Sequence, residues 1–157
     1  MVRRYGRALQ GKRLVCKVPF GHWETMTFIA ALRHDRITAP LLLDGPMNGP
    51  SFRAYVEQML APTLKPGDSV VMDNVRMHKV PGVREAIEAR GATVPPFPPY
   101  SPDLNPIELA YAKFKAILSA AAGRSTRRLR AITRAALKRF SPQECAAYLV
   151  HAGYRSI

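Results

Sequence analysis

Two early segments, Arg13 to Val18 and Thr25 to Leu32, are short and rich in Val, Thr, Phe and Ile, with Gly21 between them as punctuation. Together they predict an antiparallel hairpin. A third run, Ala39 to Leu43, ends on the turn sequence Asp44-Gly45-Pro46. Gly49-Pro50-Ser51 then opens a stretch to about Leu60 in which Phe52, Val56, Met59 and Leu60 recur at helical spacing. After the turn Lys65-Pro66-Gly67-Asp68, the run Ser69 to Met72 is the continuous apolar stretch that a buried central strand needs, and it ends at Asp73-Asn74. Val83 to Ala89 reads as a helix stopped by Gly91, and Ala92 to Val94 as one more short strand.

From Pro95 to Pro106 six of twelve residues are proline, which excludes regular structure and stiffens the backbone. Beyond it Ile107 to Ala121, Ser125 to Phe140 and Pro142 to His151 predict three helices, the last with Ser141 as its N-cap. Antiparallel strands first, then alternating strand and helix, indicate an α/β domain with a mixed sheet flanked by helices and a helical C-terminal layer. At 157 residues, with no internal repeat, the chain reads as a single domain spanning 1–157.

Charge narrows the partners. The chain carries 24 Lys and Arg against 11 Asp and Glu, a formal charge of +13, so a polyanion is expected. From Leu109 onward ten basic residues face one acid, Glu144, and Arg127, Arg130 and Arg134 recur at helical spacing, as a phosphate-binding face requires. A merely solvated face is the alternative. No helix pairs this charge with an apolar face rich in Trp and Phe, and no run approaches a membrane span or a signal-peptide core. DNA rather than a membrane is therefore the expected partner, and the cytoplasm the expected location. Cys16 and Cys145 lack zinc or disulfide-framework spacing and read as small apolar residues. Trp23, beside His22, reads as a packing residue at a strand edge.

Two acids are candidates for chemistry. Asp73 follows an apolar strand, where α/β folds place ligands, although for a lone Asp an Asp-Asn turn closing the strand is the stronger explanation. Glu108 follows Asn105-Pro106-Ile107, a capping-box pattern that also places a carboxylate at the positive end of a helix dipole. His78 and Lys79 lie close enough to Asp73 in sequence to reach a phosphate or a metal site, with a solvated loop pair as the alternative.

Val71-Met72-Asp73-Asn74 with His78-Lys79, followed by Pro99-Tyr100-Ser101-Pro102-Asp103-Leu104-Asn105-Pro106-Ile107-Glu108, closely resembles transposases of bacterial insertion sequences related to the mariner elements, in the DDE superfamily. The likeness extends through Tyr5 to Arg13, Val18 to Trp23, Asp44 to Tyr55 and the C-terminal helices. The 34 residues between Asp73 and Glu108 match that family's spacing of its second and third catalytic carboxylates. The resemblance implies a ribonuclease H-like fold, Asp73 and Glu108 as catalytic metal ligands, and Mg²⁺ or Mn²⁺ as cofactor. It also implies DNA cleavage and strand transfer, with His78, Lys79, Arg127, Arg130 and Arg134 on DNA. In the family the first catalytic Asp lies upstream of the segment resembling Tyr5 to Arg13, and no Asp or Glu precedes Glu24 here. The first strand, its Asp and the helix-turn-helix region are therefore expected to be missing, leaving weakened metal binding and a chain inactive alone. Asp44 ends a similar apolar run, but the resemblance places it at a turn, as a cap for the next helix. Homo-oligomers or association with full-length transposase are expected. A non-catalytic DNA-binding module and a transposase-oligomerising fragment are the competing readings.

Overall fold

The strand Met26–Leu32 (β1) turns back through Arg33-His34-Asp35-Arg36 into Ile37–Asp44 (β2), and the two form an antiparallel pair running from Leu32↔Ile37 to Met26↔Asp44. The computed structural model describes residues 7–15, 25–121 and 125–154. Between Ile29↔Leu41 and Ala31↔Thr38 the register shifts, because β2 uses one more residue than β1. The bulge falls at Ala39-Pro40, where Pro40 has no N–H for the ladder and Ala39 takes φ +47°.

Neighbouring side chains of β1 point to opposite faces, and each face is covered by helices. On one side Ile29, Ala31 and Leu41 pack against the main core of Ala39, Phe52, Tyr55, Val56, Leu60, Val83, Ile87 and Ala92. That core is supplied by Gly49–Tyr55 (α1), the π turn Val56–Leu60 that continues it, and Val83–Glu88 (α2). Val56, Val83 and Ile87 are fully buried, each removing enough apolar surface to contribute roughly 1.5–3 kcal/mol. On the other side Phe28 stacks on Phe114 of Ile107–Ala121 (α3), with ring centroids 4.3 Å apart, and meets Tyr111 edge-on at 6.1 Å.

Thr126–Leu137 (α4) and Pro142–His151 (α5) complete the second layer. Ser125 Oγ accepts from Arg128 N at 3.3 Å and Ser141 Oγ from Glu144 N at 3.2 Å, so both helices start on a side-chain cap. Lys113 of α3 donates to the Arg139 carbonyl at 2.8 Å and to the Glu144 carboxylate, and lies 4.6 Å over the Phe140 ring, clamping α3 to the α4–α5 corner. Tyr148 donates to the same carboxylate at 2.6 Å. Cys145 is buried, as expected of a small apolar residue.

Three expectations change. Arg13 to Val15 are not in a strand; Leu14 and Val15 are exposed, and the hairpin partner of β1 is Ile37–Asp44. Residues 16–18, Cys16, His22 and Trp23 lie outside the described residues. Ser69 to Met72 is extended but joins no sheet. A single parallel bridge pairs Ser69 with Thr93, supported by Val70 N to Thr93 O and Thr93 N to Asp68 O, both 2.8 Å. The stretch is half-buried or exposed rather than central, because Thr93 covers one edge alone among the described residues. The described sheet is thus a two-stranded antiparallel pair with helices on both faces, and the parallel bridge Ser69↔Thr93 stands outside it. Among the described residues no helix is long and apolar enough to cross a membrane.

Candidate functional site

Asp73 stands where the extended run leaves the core, and the run is anchored at its start. Arg33, at the hairpin turn, donates from Nη1 and Nη2 to the two carboxylate oxygens of Asp68 at 2.8 and 2.9 Å, and Lys65 N adds a third bond at 2.9 Å. The Arg33 hydrogen bonds, opposed by partial burial and aided by Lys65 N, hold the Asp68 carboxyl below the usual carboxylate range. The run from Ser69 to Asp73 therefore begins from a fixed point on the hairpin.

At its end, Asp73 Oδ1 lies 2.9 Å from His78 Nδ1 and accepts from Val75 N at 3.3 Å. The Asp73 carbonyl is also 3.1 Å from His78 Nδ1. Two acceptors around one ring nitrogen require that nitrogen to carry the proton, which leaves Nε2 on the far side of the ring. The ring is packed on Phe52 of α1 at 4.6 Å between centroids, so His78 is a placed residue rather than a solvated loop side chain. Lys79 is exposed.

The proline segment is tied to this corner: Asn74 Nδ2 donates to the Phe97 carbonyl at 2.6 Å. It then passes through Tyr100, which has φ +54° and a fully exposed ring, and the 3-10 turn Pro102–Leu104, whose Leu104 carbonyl accepts from Tyr154 at 3.0 Å. Glu108 follows in the first turn of α3, exposed. Asn105 serves this helix start with its backbone carbonyl, which accepts from Glu108 N at 3.1 Å. The Glu108 carboxylate has no hydrogen-bond or ion-pair partner among the described residues. It is near enough to Tyr111 to help burial raise that phenol's pKa.

Both carboxylates thus suit a hard divalent cation: Asp73 keeps Oδ2 free of protein partners among the described residues, and Glu108 keeps both oxygens. The described residues gather no group of three or more His, Cys, Asp or Glu side chains able to hold a metal.

The second constellation is on α4. Thr133 and Ala136 are buried and Leu129 and Ile132 half-buried, so Arg127, Arg130 and Arg134 share the outer face. All three line an open groove of about 850 Å³, closed on the opposite side by Thr25, Met26, Asp44 and Gly45 at the end of the hairpin. Arg130 Nη2 donates to Asp44 Oδ2 at 2.6 Å. Asp44 does not cap the following helix; Asn48 does, its Oδ1 accepting from Ser51 N at 2.9 Å. The Arg stripe was visible in the sequence from its spacing, whereas the Asp44–Arg130 pair spans 86 positions and carries no local signal.

The model of the family described as DDE superfamily endonuclease matches residues 1–130, a span that contains Asp73, His78, Lys79, Glu108, Arg127 and Arg130. No curated protein matches the chain. With most of its length covered by that family's model, the chain belongs to the DDE superfamily endonucleases.

Proposed function

We propose that the chain is the catalytic-domain portion of a DNA transposase related to the mariner elements, of ribonuclease H-like type, that cuts and joins phosphodiesters with Mg²⁺ or Mn²⁺. The observation that carries this reading is Asp73 itself: a carboxylate fixed through one oxygen by His78 and Val75 N, with the other oxygen free and Glu108 unpartnered among the described residues, and 34 residues between the two acids. A divalent cation bound there supplies neutralisation of charge on the scissile phosphate and activation of the attacking oxygen. The residues of the chain do the rest. Asp73 and Glu108 present hard oxygen donors, and His78 holds the Asp73 carboxylate in one orientation. Lys79 and the arginines of α4 bind the DNA backbone by counterion release, with little base preference.

Two carboxylates hold Mg²⁺ or Mn²⁺ weakly, and the family's chemistry uses three. The isolated chain is accordingly a weak cation binder that does not cleave DNA alone, and it works in a homo-oligomer or with full-length transposase. The arginine-lined groove on α4 favours one alternative, a DNA-binding module that needs no metal. Calorimetric titration with Mn²⁺ separates the two. Weak binding that is lost in both Asp73→Ala and Glu108→Ala supports the catalytic reading. Binding unchanged by either substitution overturns it in favour of the DNA-binding module. Robust Mn²⁺-dependent nicking of terminal-repeat DNA by the isolated chain would overturn the inactivity.

A further inference from the structure

The groove on α4 already contains an anion. Asp44 ends β2 opposite Met26, and the corner that carries it is pinned on both sides: Gly45 N donates to the Thr25 carbonyl at 2.8 Å and Thr27 Oγ1 to the Gly45 carbonyl at 2.7 Å. Its carboxylate is thereby held facing the arginine stripe across the groove. Arg127, Arg130 and Arg134 line the groove together with this one acid; Arg130 pairs with it, and Arg127 and Arg134 have no ion-pair partner among the described residues.

The Asp44–Arg130 contact is poor as a structural bond. It uses one guanidinium nitrogen and one oxygen, and the two side chains are 51% and 62% exposed. Exposed pairs of this kind add little to folding stability, so the fold does not require this acid at this position. Its geometry has another consequence. A phosphodiester entering the groove can take both terminal nitrogens of Arg130 in the forked arrangement that guanidinium favours, which the single bond to Asp44 leaves unfilled. Gly45, beside it, meets nothing within 4 Å of where a Cβ would stand, so the backbone leaves room for the incoming strand.

We propose that Asp44 is a built-in counter-anion seated in the DNA-backbone groove of α4, which a phosphate must displace from Arg130 in order to bind. This rests on the reading of Arg127, Arg130 and Arg134 as DNA contacts and adds a device to it: Arg130 alone is neutralised in the free protein and is freed for DNA when Asp44 is released. The carboxylate then discriminates against weak or single anions, which cannot outbid it, in favour of a polyanion that also engages Arg127 and Arg134.

The test is fluorescence anisotropy with labelled duplex DNA of random sequence, titrated at several KCl concentrations. Asp44→Asn keeps the shape of the side chain and should bind about two- to fivefold more tightly, the factor set by no longer breaking an exposed ion pair. Its plot of log affinity against log salt should steepen by about one charge, because in the parent the Asp44 carboxylate freed by the phosphate takes up a cation that offsets the one Arg130 releases from the DNA. In an Arg130→Ala background the same substitution should have no effect. Weaker binding by Asp44→Asn, unchanged binding, or an equal gain in the Arg130→Ala background each overturns the proposal. Asp44→Ser, judged by the same criteria, guards against a folding defect in the first variant. If Arg127→Ala and Arg134→Ala leave DNA affinity intact, the groove reading itself has failed; if they weaken it while Asp44→Asn brings no gain, only the counter-anion has.

Discussion

Removing the Arg33 guanidinium should loosen the link between the hairpin and the run from Ser69 that presents Asp73, and the size of the effect follows from the geometry. Arg33 and Asp68 form a two-pronged pair at 2.8 and 2.9 Å with side chains only 23% and 22% exposed, and Lys65 N occupies the same carboxylate. Exposed single-pronged pairs are worth roughly 0.2–1 kcal/mol, whereas charged hydrogen bonds sheltered from water reach about 1.5–3 kcal/mol. Water still reaches the rim of this pair, so Arg33→Ala should cost about 1–2 kcal/mol, or about 2–8 °C in Tm for a chain of this size. The pair Arg84–Glu88, at 3.2 Å with 58% and 48% exposure, is the internal control and should couple by only about 0.3–0.5 kcal/mol.

The assay is a double-mutant cycle on Arg33→Ala and Asp68→Ala, read by urea unfolding with far-ultraviolet circular dichroism. Acid supplies an independent check. The Asp68 carboxyl titrates below its ordinary range when folded, chiefly because of the Arg33 hydrogen bonds. A depressed folded-state value means that the stabilisation is complete above the unfolded value near about 4 and is lost as pH falls through the folded one. The coupling should therefore persist at pH 7 and vanish in strong acid. A coupling no larger than that of Arg84–Glu88, or one that survives undiminished in strong acid, would refute the idea that this clamp organises the run.

Three further outcomes are expected. His78→Ala removes both the bond to Asp73 Oδ1 and the ring on Phe52, and Mn²⁺ affinity measured by calorimetry should fall by about tenfold, the usual cost of losing the group that orients a metal ligand. Phe114→Ala empties the stack beneath Phe28 and should destabilise by about 3–5 kcal/mol in thermal or urea unfolding; a loss under about 1 kcal/mol would mean that α3 is held chiefly by its Lys113 clamp. Tyr100→Gly relieves a left-handed backbone costing roughly 1–2 kcal/mol at the expense of roughly 0.5–1 kcal/mol of glycine entropy, and the exposed ring gives up no packing. A Tm that is unchanged or slightly raised is expected, and a clear fall would show that the ring makes a contact in solution.

How far the sequence foretold all this depended on whether the cause was local. Ile107–Ala121 and Pro142–His151 coincide with their expected limits because a proline and a capping position mark each start in the chain itself. Thr126–Leu137 begins where Ser125 caps it but stops short of Phe140, since residues 138 and 139 already turn toward α5. The pairing of Met26–Leu32 with Ile37–Asp44 escaped the sequence for a long-range reason. Alternation marks a strand but does not say which other strand it meets, and the true connection, Arg33-His34-Asp35-Arg36, contains none of the Gly, Pro or Asn that usually betray a turn. Pro40 compounded this by making β2 look shorter than it is, although its missing N–H is accommodated at the bulge.

The same distinction governs the two candidate clusters. The contact of Asp73 with His78 was legible because five residues of backbone suffice to bring them together, whereas the proline segment fixes only how far along the chain Glu108 follows. The groove was half legible. A helix places Arg127, Arg130 and Arg134 on one face whatever it packs against, so spacing alone revealed the stripe. What that stripe faces is decided by how α4 lies across the end of the hairpin, which depends on the burial of Thr133 and Ala136 and on the Lys113 clamp. Asp44 therefore resembled a helix cap or a stray metal ligand in sequence, and only its position opposite Arg130 gives it a role in charge balance. Acting through Arg130, Asp44 should set the strength of DNA binding, and substitutions at Asp44 should shift salt dependence without altering sequence preference.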